Sequence, residues 1–177
     1  MGNTGVYYAG AAALGWATRV EPLAVIPSQI LESHVASGLI RNAVKFAVGR
    51  KRPSDGEGPY SFEPGTGASF PSGHASNAFQ LAAILTHHAY RTPFGRPVSA
   101  FTHFAAASIA LERIDSESHW PSDVYIGAVL GSLASRTVIR LWRERAGGGD
   151  GFPDGLRVSL APVLGRSAAG LRVVASF

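Results

Sequence analysis

Apolar and polar positions follow a helical period over most of this 177-residue chain. Five stretches carry it, Gly5–Thr18, Ser28–Arg50, Gly73–Tyr90, Pro97–Arg113 and Pro121–Arg145, separated by loops rich in Gly, Pro, Ser and Asp. In the second stretch Leu31, Val35 and Leu39 recur at four-residue spacing, and Ile40, Val44 and Val48 form a neighbouring stripe, which predicts a core-facing surface. In the last, Gly127, Gly131 and Ser135 stand four apart, a spacing that lets another helix approach closely in lipid or in a soluble core. After "RERAGGGDGFPDG" the period changes to two. Leu156, Val158 and Leu160, then Leu171, Val173, Ala175 and Phe177, predict a two-stranded hairpin joined through Pro162 to Gly170, packed on the helices or paired with another chain. The expected organisation is a helical domain over 1–146, a flexible linker over 147–155 and a hairpin appendage over 156–177.

Composition narrows the setting. Hydrophobic residues make up 46% of the chain and charged ones 16%, so the protein is greasier than an ordinary soluble domain. A bilayer span needs about 20 predominantly apolar residues. The fourth stretch has fifteen uncharged residues between Arg96 and Glu112, the fifth is interrupted by Arg136 and Arg140, and the first ends at Arg19 and Glu21. A compact bundle, soluble or membrane-associated, is therefore expected ahead of a multi-span protein. The net charge of +4 favours anionic partners. No lysine-rich run with interleaved aromatics is present, so nucleic acid is not an expected partner. The absence of cysteine excludes disulfides and thiolate metal sites. The amino end lacks the charged start and cleavage site of a secretory signal, so the chain is expected either to stay where it is made or to be a piece of a longer one.

Three clusters carry candidate chemistry. Lys45 and Arg52 are seven residues apart, which on a continuous helix puts both on one face, and Pro53 ends the element with the guanidinium at its tip. Such a pair suits phosphoryl oxygens; with Arg50 and Lys51 alongside, a solvated basic helix end is the plainer alternative. In "FPSGHAS", Gly73 and His74 open a helix whose unpaired N–H groups make an anion site, Ser72 adds a hydroxyl, and His74 is placed to move a proton. Ordinary helix capping by Ser72 explains the same residues. In "ERIDSESHWPSDV", Asp123 stands four residues beyond His119, a spacing at which a carboxylate can fix the tautomer of a ring and raise its nucleophilicity. Arg113 offers a third cation; a helix-dipole role for Asp123 and a capping role for His119 are the alternatives. Trp120 reads as a packing residue that shields the site, and His87 and His88 as surface or dipole-stabilised residues late in their helix.

Lys45 with six residues to Arg52-Pro53, then Pro71-Ser72-Gly73-His74, then Arg113 with five residues to His119 and three to Asp123, resembles the signature of the type 2 phosphatidic acid phosphatase and vanadium haloperoxidase superfamily. The resemblance covers roughly Gly5 to Arg145. It implies an all-α bundle of the acid phosphatase/haloperoxidase type with five to six helices, to which the carboxyl-terminal β-hairpin is added.

It also implies a metal-independent phosphatase acting on a phosphomonoester or pyrophosphate, with lipid phosphates as the expected substrates, at the cell envelope in a membrane-associated or periplasmic setting. His119 would attack phosphorus to form a phosphohistidine, Asp123 would orient its ring, and His74 would protonate the leaving oxygen. Lys45, Arg52, Ser72, Gly73 and Arg113 would hold the phosphoryl oxygens, with no metal or cofactor. Two alternatives use the same residues: a haloperoxidase with vanadate bound at His119, and a weakened phosphate-binding or membrane-interaction module. The family usually has Ser before the Arg of its third motif, where this chain has Glu112. Neighbouring helix positions point about 100° apart. Glu112 need not enter the pocket; if it does, it would pair with Arg113 and weaken binding of highly charged phosphates.

Overall fold

The computed structural model describes residues 8, 10–11, 21–90, 92–148, 157–164 and 169–176. Its elements are α1 (Glu21–Val48), a 3-10 turn (Pro53–Asp55), α2 (Gly73–Ala89), α3 (Gly95–Asp115), α4 (Pro121–Arg145), β1 (Arg157–Leu164) and β2 (Ala169–Ser176). The helix expected over Gly5–Thr18 lies largely outside the described residues. The chain divides into two compact units, one formed by Ser28–Ile139 and one by the segments on either side of it.

The first unit is all-α. α1 stops at Val48, short of the expected Arg50, because Gly49 turns to a left-handed φ of 61° and its N–H closes on Lys45 O at 2.8 Å. A Cβ at Gly49 would stand 2.0 Å from Glu63 O, so this turn requires glycine twice over. Beyond it Arg52 is extended, and Lys45 and Arg52 do not share a continuous helix face. The turn, not helical periodicity, brings the chain back towards the site.

The expected core stripe of α1 is covered only in part. Leu31, Val44 and Val48 are half-buried and Val35, Leu39 and Ile40 are exposed, whereas Gln29, Ile30, Ser33 and Ser37 are buried. The reason is a buried polar seam with α2: Ser37 Oγ donates to Gln80 Oε1 at 3.1 Å, and Gln80 Nε2 donates to Ile30 O at 2.9 Å. These buried groups have partners only if the serine face turns inward. His88, expected at a surface, is part-buried and meets Gln29 Oε1 at 2.8 Å in the same seam.

α4 packs on α2 through the small-residue stripe. A Cβ at Gly131 would stand 1.9 Å from Ser76 O, and Ser135 Oγ donates to Gln80 O at 3.1 Å. Ala75, Ala110 and Val124, with Phe79 and Ile114 against them, join α2, α3 and α4 in a core just beneath the start of α2.

In the second unit Ala24, Val25 and Trp142 are buried. The strands pair antiparallel, with Leu160 opposite Val173 and Pro162 opposite Leu171. Pro162 and Gly170, expected in the connection, are paired strand positions instead, Gly170 opposite Val163. A two-stranded ribbon consists of edge strands, where proline is tolerated.

Candidate active site

The site gathers at the amino-terminal ends of α2 and α4 and the end of α1. Ser72 is fully buried and caps α2, its Oγ accepting from Ala75 N at 3.5 Å, while its own N–H donates to Asp123 O at 2.9 Å. The serine hydroxyl is thus used in capping. Helix geometry leaves the Gly73 and His74 N–H groups without intrahelical acceptors. The Phe70–Pro71 peptide that leads into this turn is cis.

His119 lies in the short connection before α4. That connection is held by His119 N donating to Arg113 O at 3.1 Å and by Ser54 N donating to Glu117 O at 3.0 Å. The ring is 5% exposed, and its Nδ1 is enclosed without a hydrogen-bond partner. Asp123 Oδ2 stands 4.0 Å from Nδ1, beyond hydrogen-bond range, so the expected His119–Asp123 hydrogen bond is absent in this state.

The carboxylate is committed elsewhere. Asp123 Oδ1 accepts from Arg50 Nη1 at 2.6 Å, and Oδ2 accepts from Ser69 Oγ at 2.5 Å and Trp120 N at 3.0 Å. Arg50 also donates from Nη1 to Ser122 Oγ at 2.7 Å, and from Nε and Nη2 to Pro59 O at 2.9 and 2.6 Å. The rings of Trp120 and Phe62 flank its Cζ at 5.6 and 5.8 Å. Its side chain is 11% exposed, so it is no part of a solvated basic end. Trp120, expected to shield the site, has its ring against Arg50, and its Nε1 donates to Lys51 O at 3.0 Å.

The cations of the motif converge. Lys45 Nζ donates to Ala68 O at 2.5 Å and to Ser69 O at 3.4 Å. Burial first, then repulsion from Arg52 and Arg41, lowers its pKa to about 8, with Asp123 opposing. Burial first and Lys45 second lower the His119 pKa to about 4, with Arg52 adding to the shift and the Ser69 backbone and Asp123 opposing it. His74 is also lowered, by burial, then Arg113, then Arg41 and Arg52, with Glu112 opposing. Arg52 repels positive charge on both imidazoles. Arg113 is engaged by Glu112, which accepts from its Nε and forms an ion pair with Nη2.

Sequence pattern assigns no role in the site to Arg50, Ser69 or Arg41. Arg50 and Ser69 meet Asp123 from 73 and 54 residues away, and only the fold reveals such pairings. Among the described residues no group of three or more His, Asp or Glu is placed to share a metal ion.

A buried imidazole, His119, and a half-buried one, His74, lie among the cations Lys45, Arg52 and Arg113 near a helix start, an arrangement of the kind that suits an anionic ligand. Residues 27–146, more than half of the chain, match the PAP2 superfamily, and the chain belongs to it. The chain is 34% identical over 118 residues to a lipid A 1-phosphatase of Rhizobium etli, a match covering 62% of this chain and 47% of that protein. It is 36% identical over 109 residues to a lipid A 1-phosphatase of Rhizobium johnstonii, covering 57% and 41%. This chain thus matches less than half the length of each of these relatives. Among solved structures, Aquifex aeolicus LpxE aligns with a TM-score of 0.46 at 20% identity, over 77% of this chain and 85% of that one.

Proposed function

We propose that this chain is a metal-independent phosphatase acting on a phosphate monoester of a lipid. The observation that carries the reading is His119, a buried imidazole held unprotonated down to a pKa of about 4 and placed among cations. With Nδ1 enclosed, Nε2 is the nitrogen left to attack phosphorus. The P–Nε2 bond forms as the P–O bond to the leaving group breaks, and His74 gives its proton to that oxygen. Water then attacks phosphorus, His74 takes its proton, and the P–Nε2 bond breaks to release phosphate. Lys45, Arg52, Arg113 and the N–H groups at the start of α2 hold the charge that gathers on the equatorial oxygens. Closing the 4.0 Å gap between Asp123 and Nδ1 would let the carboxylate steady the ring as it becomes positive.

A lipid substrate and an envelope membrane setting are supported by the curated relatives and by the outer surface. Leu39, Phe46, Phe101, Phe104 and Leu111 are exposed in the first unit. By length and composition α4 alone, among the described helices, is apolar enough to cross a bilayer.

The test is phosphate release from a panel of lipid and soluble phosphates, with and without detergent and chelator. Release is expected to survive chelator and to vanish in His119→Ala; a parent and variant that behave alike would sink the reading. The Arg113–Glu112 pair favours one second reading, a phosphate-binding module with weakened turnover. In that case Glu112→Ser raises turnover while the parent binds phosphate with little release.

A further inference from the structure

Ser69 stands before the Pro71-Ser72-Gly73-His74 cluster and belongs to no part of the three-part motif. It is fully buried, and all three of its polar groups are used at the site. Its N–H donates to Arg50 O at 3.0 Å, its carbonyl accepts from Lys45 Nζ at 3.4 Å, and its Oγ donates to Asp123 Oδ2 at 2.5 Å. The same Oδ2 accepts from Trp120 N at 3.0 Å. A carboxylate oxygen offers two lone pairs, so these two donors fill it.

That occupancy accounts for the unpartnered nitrogen beside it. His119 Nδ1 is enclosed, lacks a hydrogen-bond partner among the described residues, and stands 4.0 Å from Oδ2. A buried polar group left in that state is costly. The carboxylate cannot swing as a whole to meet it, because Arg50 Nη1 holds Oδ1 at 2.6 Å. The two donors on Oδ2 differ in freedom. Trp120 N–H is fixed in the backbone just before α4, whereas a serine hydroxyl turns about its Cβ–Oγ bond. Ser69 is the donor that can release Oδ2 without moving the chain.

We infer that Ser69 is a positioning residue for the nucleophile: at rest its hydroxyl occupies the Asp123 oxygen nearest His119 Nδ1, and it yields that oxygen to Nδ1–H when the ring becomes positive. The inference rests on the phosphatase reading for the event that charges the ring, and on the hydrogen bonds of Ser69 and Asp123 for the rest. As the P–Nε2 bond forms and the bond to the leaving oxygen breaks, Nδ1 keeps its proton and donates to Oδ2. The Ser69 O–H turns away with its own proton, and none passes to Asp123. The charges that face the ring are Lys45 from α1, Arg52 from the turn beyond it, which also repels charge on His74 of α2, and Asp123 from α4; Arg113 at the end of α3 accepts from the His119 N–H. Among these only Asp123 can partner a protonated ring, and Ser69 keeps it engaged until then.

The test is a histidine NMR titration of the full chain, with the His119 ring assigned by its loss in His119→Asn. Ser69→Ala frees Oδ2 at rest, so a downfield, slowly exchanging Nδ1–H resonance is expected to appear and the His119 pKa to rise from about 4 by about one unit or more. Adding Asp123→Asn is expected to cancel both changes. Ser69→Cys, a weaker donor of similar size, shows the same changes at reduced size and serves if Ser69→Ala does not fold. A pKa that does not move overturns the hand-over. So does a rise without the Nδ1–H resonance, or one that persists with Asp123→Asn, since either reports opened packing. Phosphate release separates the two claims. Where the parent turns over substrate, the acid limb of kcat/KM is expected to move up with the pKa in Ser69→Ala. The NMR changes without turnover of any phosphate by the parent remove only the phosphatase reading; turnover without them removes only the hand-over.

Discussion

Attack by His119 requires its ring without a proton, and departure of the leaving oxygen requires a proton on His74. The His119 pKa of about 4 keeps the nucleophile free above that pH, and His74, lowered from 6.5, loses its proton below neutrality. The pH profile of kcat/KM is therefore expected to be a bell on the acid side, rising through about 4 and falling below 6.5. A rate that climbs through neutrality would contradict this division of roles. Arg50 gives a second expectation at this scale. Asp123 is fully buried, and Arg50→Ala removes the cation hydrogen-bonded to its carboxylate. Breaking a buried pair from one side costs about 3–5 kcal/mol, which a urea melt measures. Arg50→Lys, which keeps the charge but loses the fork that holds Ser122 and Pro59, is expected to fall between. The motif residues could be read from the chain because their spacing is local. Arg50 could not: its neighbours in sequence are basic, and its partner Asp123 is distant.

Helices α2 and α4 owe their close contact to residues without bulk. Gly131→Ala would drive a Cβ to 1.9 Å from Ser76 O, and backbone cannot yield there as a flexible side chain could. Overpacking of this kind costs about 1–3 kcal/mol, which lowers Tm by roughly 2–4 °C per kcal/mol in a chain of this size. Because the displaced strip of α2 begins at Ser72 and His74, activity is expected to fall further than stability, measured by thermal melt and phosphate release on the same preparation. An unchanged melt would mean that the helices do not pack so closely. Element positions followed from periodicity and capping: α2 begins at Gly73, and α4 runs over Pro121–Arg145. The inward face of α1 did not. Hydrophobic spacing pointed to Val35 and Leu39, but the partner helix offers Gln80, and a buried amide selects serines.

Among the described residues, several large apolar side chains are left uncovered by packing. Phe101, Phe104 and Leu111 lie at helical spacing on α3 and are 72%, 73% and 65% exposed. A stripe of that kind marks a surface that meets lipid or protein. The chain is expected to float with lipid vesicles in a density gradient, and Phe101→Ser with Phe104→Ser is expected to reduce the floating fraction severalfold. Protein left wholly in the bottom fraction would argue against a lipid-facing role for this surface.

By itself the sequence determined that the protein is helical, where α2 and α4 start, and which residues form the three motif clusters. Each follows from local rules of period, capping and spacing, which act within a few turns. Tertiary structure decided how those residues are held: Asp123 bound by Arg50 and Ser69 and not by His119, Arg113 engaged by Glu112, and Arg41 laid over Gly73. These depend on which groups burial brings together across long stretches of chain. A buried charge takes the nearest partner able to satisfy it, whatever its distance in sequence.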